Sequence, residues 1–206
     1  MNITKETRIY VAGCGGMLGE AVYNHFSPIV ELMATDIVTN ESWLNYADVR
    51  DYSSISQSIE AFKPNIIINL AALTDLEECE KEKENAWSTN GLGAENLALI
   101  SSQLHAVLVH ISTAGIFDGK KEYYSDFDIP NPIGIYAKSK HYAEVIVSRE
   151  LKKYYVLRAG WMMGGGPKKD KKFINKLYKQ ICQGNKELNV VDDKLGTPTY
   201  TVDFVK

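Results

Sequence analysis

The chain has 206 residues, 45% of them hydrophobic and 24% charged, and it carries a net charge of −3. This length and balance are typical of one globular domain with a sizeable core, and they exclude disordered and fibrous chains. They also exclude a broadly basic surface for nucleic acid. The sequence shows no apolar run of membrane-spanning length, no signal peptide, and only three cysteines, too few for a disulfide framework. We therefore expect a soluble, cytoplasmic protein that binds neither nucleic acid nor a membrane.

Short apolar runs rich in β-branched residues alternate along the chain with stretches of helical spacing. In chain order we predict a strand at 9–12, a helix at 17–26, a strand at 30–34, a helix at 53–62, a strand at 66–70, a helix at 82–104, a strand at 106–111, a helix at 136–151, a strand at 154–157 and a helix at 173–183. Such alternation predicts right-handed crossovers and a mostly parallel sheet with helices on both faces. The predicted fold is therefore a Rossmann-like, doubly wound α/β fold.

Two segments depart from this regular alternation. Gly91 and Gly93 lie in the middle of the longest predicted helix, where a glycine costs about 1 kcal/mol relative to alanine. One continuous helix over 82–104 is therefore an expectation that depends on tertiary contacts. The loop at 113–135 is long and rich in Gly, Asp, Pro and Tyr, and loops of this length in compact domains are usually functional.

Three glycines follow the first predicted strand directly and open the first predicted helix. Gly13, Gly16 and Gly19 have the spacing G-x-x-G-x-x-G, a variant of the dinucleotide-binding fingerprint. The chemistry needs a tight turn at the first glycine, close approach of the backbone to a pyrophosphate at the second, and close helix–strand packing at the third. We therefore predict a dinucleotide site at this turn.

Asp36 ends the second predicted strand, 17 residues after Gly19. A carboxylate at this position accepts hydrogen bonds from the adenosine ribose hydroxyls and repels a 2′-phosphate. This interpretation favours NAD over NADP as the cofactor. The alternative is that Asp36 is a loop or helix-capping carboxylate with a structural role only.

Tyr136 and Lys140 are spaced i and i+4, so both side chains leave one face of a helix. A free tyrosine titrates near pH ~10, and a cation one turn away stabilises its phenolate and makes it a usable acid–base group. Thr113 lies at the carboxyl end of a predicted strand, where ligands bind in open α/β sheets, and its hydroxyl can bond a substrate carbonyl. Each of these features alone is common by chance, but together they indicate an oxidoreductase site.

With these motifs the chain resembles the extended short-chain dehydrogenase/reductase superfamily. Within it, the sequence is most similar to the dTDP-4-dehydrorhamnose reductases and related nucleotide-sugar-modifying proteins of carbohydrate biosynthesis. The resemblance covers essentially the whole chain and is carried by the segments 13–19, 48–49, 69–72, 111–113, 117–119, 136–140, 158–161 and 196–204. It implies hydride transfer from NADH or NADPH to C4 of a 4-keto deoxysugar nucleotide, with no metal in the chemical step.

The resemblance also implies roles for individual residues. Thr113 would orient the substrate carbonyl, Tyr136 would protonate the resulting alkoxide, and Lys140 would assist it and hold the nicotinamide ribose. The remaining positions are Gly16, Met17 and Leu18 under the pyrophosphate, Asp48 and Val49 at the adenine, Ala71, Ala72 and Leu73 beside the nicotinamide, and Trp161 against the substrate.

Ala114 and Gly115 depart from the family pattern, in which an acid and an aromatic residue follow the threonine. A sugar dehydratase is disfavoured, because its elimination step needs acid–base carboxylates directly after that threonine. Two alternatives to the reductase stay open. One is an NAD-dependent nucleotide-sugar 4-epimerase, which uses the same three residues, and the other is a non-catalytic, dinucleotide-binding regulatory subunit.

We expect two parts in the chain, a dinucleotide-binding domain at 1–160 and the start of a substrate-binding region at 161–206. Members of the family continue past the segment that corresponds to 196–204, so we expect this second region to be small or incomplete. The expected partners are a nucleotide-sugar substrate and a second copy of the chain in a homodimer.

Overall fold

Six parallel strands form the central sheet of the computed structural model, which describes residues 3–170, 172–188, 190, 192–193 and 196–206. The strands are β1 (Arg8–Ala12), β2 (Glu31–Asp36), β3 (Leu44–Tyr46), β4 (Ile66–Asn69), β5 (Val107–Thr113) and β6 (Tyr154–Ala159). They lie in the order β3-β2-β1-β4-β5-β6, and every neighbouring pair is parallel. The order changes direction between β1 and β4, which is where a doubly wound sheet opens its ligand crevice. The predicted Rossmann-like fold is confirmed.

Helices connect the strands and cover both faces of this sheet. They are α1 (Met17–Phe26), α2 (Tyr52–Phe62), α3 (Leu76–Lys81), α4 (Lys83–Ala86), α5 (Gly93–Leu104), α6 (Ile135–Glu150), α7 (Gly166–Lys169), α8 (Phe173–Cys182) and α9 (Thr201–Phe204). The neighbouring residues Tyr10 and Val11 of β1 are both 0% exposed but belong to different core clusters. Tyr10 packs with residues of α2, α5 and α6, whereas Val11 packs with residues of α1. Burial on both faces explains why the central strands are continuous apolar runs.

The long helix predicted at 82–104 is continuous from Lys83 but not regular. Between α4 and α5 the segment Trp87–Leu92 is a π-helix. A Cβ on Gly91 would lie 3.2 Å from the Tyr142 ring, and a Cβ on Gly93 would lie 2.6 Å from Val49 Cγ2. Close packing against α6 and the end of β3 therefore accounts for both glycines, and the expectation of one regular helix is corrected to two α-helices joined by a π-helical segment.

A second, two-stranded sheet follows the main one and was not predicted from the sequence. Its parallel strands are β7 (Trp161–Met163) and β8 (Pro198–Tyr200). Gly160 permits the step from β6 to β7, because a Cβ there would lie 2.1 Å from the Thr197 carbonyl oxygen. This step coincides with the boundary expected at residue 160, and the division into two domains remains a prediction.

The end of the described chain returns to the main sheet. Phe204 of α9 and the following Val205 pack against the core cluster that contains Val11 and the buried side of α1. No helix among the described residues combines the length and the apolar character that crossing a membrane requires.

Candidate active site

A cleft of about 1790 Å³ lies along the carboxyl ends of the central strands. A pocket for one drug-sized ligand is roughly 300–1,000 Å³, so this cleft has room for two ligands side by side. Leu73 is not among the residues that line the cleft, and its backbone N–H and carbonyl are both bonded to the side chain of Asn90. The other residues predicted for the site all line the cleft: Gly13, Gly16, Met17, Leu18, Gly19, Asp36, Asp48, Val49, Ala71, Ala72, Thr113, Tyr136, Lys140 and Trp161.

The three glycines of the first turn have different surroundings. Gly13 has φ +78°, and a Cβ there would lie 2.3 Å from the backbone nitrogen of Ala71. A Cβ on Gly19 would lie 2.0 Å from the Cys14 carbonyl oxygen. Gly16 precedes the first residue of α1, and no described atom outside its chain neighbours lies within 4 Å of its Cβ position. The outer glycines are therefore needed for packing, whereas Gly16 leaves open space at the positive end of a helix.

The carboxylate of Asp36 is held at the end of β2 by two backbone groups. Its Oδ2 accepts a hydrogen bond of 2.8 Å from Gly15 N–H, and its Oδ1 accepts one of 3.0 Å from Val38 N–H. Each carboxylate oxygen can accept a further bond. Asp36 thus holds the glycine turn by a hydrogen bond, and its carboxylate oxygens can still accept hydrogen bonds from a ligand in the cleft.

Lys169 also contacts the glycine turn. In the sequence it belongs to a lysine-rich run at 168–172, which could meet a substrate diphosphate but is more usually a solvated loop. Its Nζ donates to the Gly15 carbonyl oxygen at 3.2 Å and lies 3.5 Å from a carboxylate oxygen of Glu41. The same Nζ lies 5.5 Å from the centre of the Trp43 ring. A separation of 154 residues between Lys169 and Gly15 leaves no local signal of this contact in the sequence.

Asp48 and Val49 lie beyond Asp36 along the cleft. The Arg50 guanidinium makes a two-pronged ion pair with Asp48, which lowers the pKa of that carboxyl. The Val49 carbonyl accepts a bond of 2.8 Å from the side-chain amide of Asn96. Both residues are therefore fixed by neighbouring groups rather than free to move.

Thr113, Tyr136 and Lys140 meet where β5 ends and α6 begins. Thr113 Oγ1 accepts a hydrogen bond of 3.0 Å from Gly115 N–H, which fixes the hydroxyl at the strand end. Burial raises the pKa of the Tyr136 phenol, and the neighbouring Thr113 side chain acts in the opposite direction. Burial lowers the pKa of Lys140 to about 8, although the charge of Glu144 opposes the shift. The site therefore combines a phenol that keeps its proton with an amine that titrates near neutrality.

Lys140 also belongs to a buried polar chain that sequence reasoning missed. Its Nζ lies 3.4 Å from His110 Nε2, and His110 Nδ1 lies 3.1 Å from Asn69 Nδ2. Asn69 Oδ1 in turn accepts a bond of 3.1 Å from Ala71 N–H. Burial, and next the charge of Lys140, lower the pKa of His110 well below its ordinary value, so the imidazole is neutral. The only signal in the sequence was a histidine within an apolar strand, which is more often a packing residue.

Trp161 lies on the opposite wall of the cleft and is 47% exposed. Its ring centre is 6.4 Å from that of Phe173. A Cβ on Gly196 would lie 2.4 Å from the indole, so this glycine permits the indole to lie against the backbone. An exposed, backbone-supported indole offers a stacking surface to a ligand.

Arg158, at the end of β6, ties the long loop to α6. Its guanidinium bonds the Glu144 carboxylate at 3.0 and 2.8 Å and lies 5.4 Å from the Phe117 ring centre. Ala114 and Gly115, in the short 3₁₀ turn before Phe117, are exposed at the cleft. The two departures from the family pattern therefore leave space directly beside Thr113.

Within the ranges that the structure describes, no group of three His, Cys, Asp or Glu side chains has the arrangement of a metal site. The three cysteines are free thiols; Cys14 and Cys79 are buried and Cys182 is exposed.

This fold, with a glycine turn at the switch point and a Thr–Tyr–Lys set at the neighbouring strand end, defines a protein like the extended short-chain dehydrogenases/reductases. The model of the RmlD substrate binding domain family matches residues 7–206. The chain belongs to this family.

Individual relatives agree with this assignment. The chain is 34% identical to the spore coat polysaccharide biosynthesis protein SpsK of Bacillus subtilis, over 97% of this chain and 68% of that protein. It is 30% identical to a dTDP-4-dehydrorhamnose reductase of Aggregatibacter actinomycetemcomitans, over 96% of this chain and 64% of the relative. The crystal structure of the Bacillus anthracis dTDP-4-dehydrorhamnose reductase in complex with NADP superposes with a TM-score of 0.85 at 31% identity, over 100% of this chain and 70% of that one. The chain thus spans about two thirds of the length of these relatives.

Proposed function

We propose that the protein reduces the 4-keto group of a deoxysugar nucleotide with NADH or NADPH. The observation that carries this proposal is the meeting of Thr113, Tyr136 and Lys140 in one cleft with the glycine turn. The names of the reductase relatives support the substrate class. Because the chain spans about two thirds of those relatives, activity with a sugar nucleotide is a proposal for this chain.

The glycine turn fits a nicotinamide dinucleotide. Gly16 leaves open space at the start of α1, where the helix dipole favours a pyrophosphate. Asp36 favours NAD through its remaining acceptor capacity toward the ribose hydroxyls. The reduced dinucleotide, when bound, supplies the hydride. The positions that we assign to its binding line the cleft: Gly13, Gly16, Met17, Leu18, Gly19, Asp36, Asp48, Val49, Ala71, Ala72, Tyr136 and Lys140. Leu73, which follows Ala72 in the chain, does not line it.

Thr113, Tyr136 and Lys140 each have a separate role in the proposed proton transfer. The Thr113 hydroxyl donates a hydrogen bond that orients the substrate carbonyl, and the Tyr136 phenol gives its proton to the oxygen as negative charge develops there. A raised pKa keeps this phenol protonated at neutral pH, as a proton donor requires. The charged form of Lys140 stabilises the phenolate that remains and holds the nicotinamide ribose. Trp161 offers its exposed ring to the substrate.

The test is oxidation of NADH and of NADPH by the purified chain with dTDP-4-dehydrorhamnose, compared with the Tyr136→Phe variant. We expect turnover by the wild type and a loss of about 10²–10⁴-fold in the variant, which should still bind the dinucleotide through the glycine turn. Tight binding of the dinucleotide without turnover would support the regulatory subunit instead. With a nucleotide sugar that carries a hydroxyl at C4 in place of the ketone, retained NAD, inversion at C4 and no net cofactor consumption would support the epimerase.

The homodimer is a separate prediction. Sedimentation of the purified chain measures it directly, and a single species of 23.1 kDa would contradict it.

A further inference from the structure

Lys140 has an unusual set of neighbours for a buried cation. Its side chain is 2% exposed, and among the described residues it makes no ion pair with a carboxylate. Glu144, one turn further along α6, is bonded by both oxygens to Arg158 instead. Within the described part of the chain, the hydrogen-bonding partner of its Nζ is His110 Nε2, at 3.4 Å.

The proton on His110 can be located from the bonds around it. Ala71 N–H donates to Asn69 Oδ1, which fixes the orientation of the Asn69 amide. The amide therefore turns its NH₂ toward His110 Nδ1, at 3.1 Å. A nitrogen that accepts this bond carries no hydrogen, so the neutral imidazole carries its single proton on Nε2. That N–H is directed at the Lys140 amine.

We propose that Asn69 and His110 set the charge state of Lys140, because Asn69 holds His110 as the tautomer protonated at Nε2 and this N–H lies against Nζ. An N–H facing an ammonium group is repulsive, whereas an N–H facing a neutral amine is a hydrogen bond. The pair therefore favours the neutral amine of Lys140. Asn69 and His110 act as positioning residues, since they reach the reacting groups only through Lys140.

The other groups around Lys140 do not explain a preference for the neutral amine. On α6, Glu144 favours the charged form of Lys140, and its own charge is matched by Arg158 of β6. Asp126 of the long loop lies 3.7 Å from Arg158, on the far side of that pair. On β6 the residue in register with His110 is Val156, which is apolar. Besides burial itself, the His110 N–H is thus the feature that opposes the ammonium form.

The consequence of this charge state for catalysis rests on the proposed function, in which the charged form of Lys140 stabilises the Tyr136 phenolate. The charge state itself can be measured without any turnover. This keeps a failure of the proposal distinct from a failure of the reductase assignment.

The first measurement locates the proton on His110. The chain has four histidines, so the ring ¹⁵N signals of protein labelled at histidine can be resolved, and His110→Gln identifies the signal of interest. We expect a neutral ring with its proton on Nε2 throughout the range from pH 6 to 9. A proton on Nδ1, or a ring that titrates in this range, would overturn the proposal.

The second measurement follows the charge of Lys140 by the ¹³Cε shift of labelled lysine, with Lys140→Met to identify the signal. In Asn69→Ala the imidazole is released from the amide and can turn an acceptor toward Nζ, so the pKa of Lys140 should rise by about one unit. In Asn69→Asp a carboxylate accepts from Nδ1 and makes Nε2 the acceptor, so the rise should be larger. His25→Gln, on the exposed side of α1, is the matched control and should leave the pKa unchanged.

Two outcomes of this titration would overturn the proposal. One is an unchanged Lys140 pKa in both Asn69 variants while their thermal unfolding shows that they are folded. The other is a rise in Asn69→Asp alone, because that rise would come from the added charge and not from the tautomer. If the wild type shows no reductase activity, these measurements still decide the proposal, and only the reductase assignment fails.

Discussion

Burial acts in opposite directions on the pKa of Tyr136 and Lys140. It raises the pKa of the phenol and lowers that of the amine to about 8. In both residues it favours the neutral form, because a low-dielectric surrounding penalises charge. The active site is therefore built from groups whose proton affinities depend on the fold, and the residue spacing alone does not reveal them.

The pKa of Lys140 predicts how stability depends on pH. Its value falls from the ordinary 10.5 to about 8, so the unfolded chain binds the proton more tightly than the folded one between these two values. Below pH 8 the folded chain carries the full free-energy penalty of burying the Lys140 ammonium group. This penalty disappears as the pH rises to 10.5. Relative to Lys140→Met, the free energy of unfolding of the wild type should therefore rise by about 3 kcal/mol across this window.

Urea unfolding of the two proteins at a series of pH values measures this difference. The pKa shifts of groups that do not contact Lys140 cancel in the comparison, because both proteins share them. A difference that stays constant from pH 8 to 10.5 would contradict the assigned pKa.

Among single residues, Asp36, Tyr136 and Lys140 could be found in the sequence because each belongs to a motif of short spacing. His110 could not, since its role depends on Asn69, which is 41 residues away and reaches it only because β4 and β5 are neighbours. A histidine inside an apolar strand carries no sign of what faces it across the sheet.

At the level of elements, the glycine turn joins β1 to α1 through two kinds of glycine. Gly19 is close-packed on the Cys14 carbonyl, whereas Gly16 borders open space at the start of the helix. We expect the fold to require a glycine at position 19, and the ligand that occupies the cleft to require one at position 16. Replacing each glycine by alanine distinguishes the structural requirement from the ligand-binding requirement.

Gly19→Ala should lower the free energy of unfolding by about 2 kcal/mol, because its methyl group would overlap the Cys14 carbonyl. Gly16→Ala should leave stability within about 1 kcal/mol of the wild type and weaken NADH binding by about tenfold or more, equivalent to ~1.4 kcal/mol. Chemical unfolding and fluorescence titration with NADH measure the two effects. Equal destabilisation by both substitutions, or unchanged NADH binding in Gly16→Ala, would show that the turn has a structural role only.

Elements differed in how well the sequence predicted them. The strand at 66–70 was predicted as an apolar run, and its core, β4, is buried in full. The strands β7 and β8 were not predicted. Each strand has only three residues, which is too short to show a period of alternating side chains, and paired residues such as Trp161 and Pro198 lie 37 residues apart in the chain. The π-helical segment was not predicted either, since it follows from the contact of Gly91 with Tyr142.

At the scale of the whole molecule, residues after position 160 pack back on the part of the chain that forms the six-stranded sheet. Lys169 reaches the glycine turn, and Phe204 and Val205 join the core beside α1. The folded chain encloses two of its thiols, since Cys14 and Cys79 are both 0% exposed. Burial also raises the pKa of Cys14 to about 12, which suppresses its reactive thiolate.

Thiol reactivity should therefore report on the integrity of the whole fold. In the native chain we expect one thiol, Cys182, to react rapidly with a disulfide reagent and the other two to react only as the structure opens. In denaturant all three should react at once. Cys182→Ser is the matched control, and a fast-reacting thiol in that variant under native conditions would contradict the packing of Cys14 and Cys79.

The sequence by itself determined the alternation of the five longer strands with helices, the glycine turn and the Tyr136–Lys140 pair, because these depend on periodicity and on spacings of a few residues. The tertiary structure alone decided what surrounds them: the bond of Lys169 to the glycine turn, the bond between Leu73 and Asn90, and the chain from Asn69 through His110 to Lys140. Those contacts join residues that the sheet order brings together from distant parts of the chain. Their effect on proton affinity arises from burial, which only the packed molecule provides.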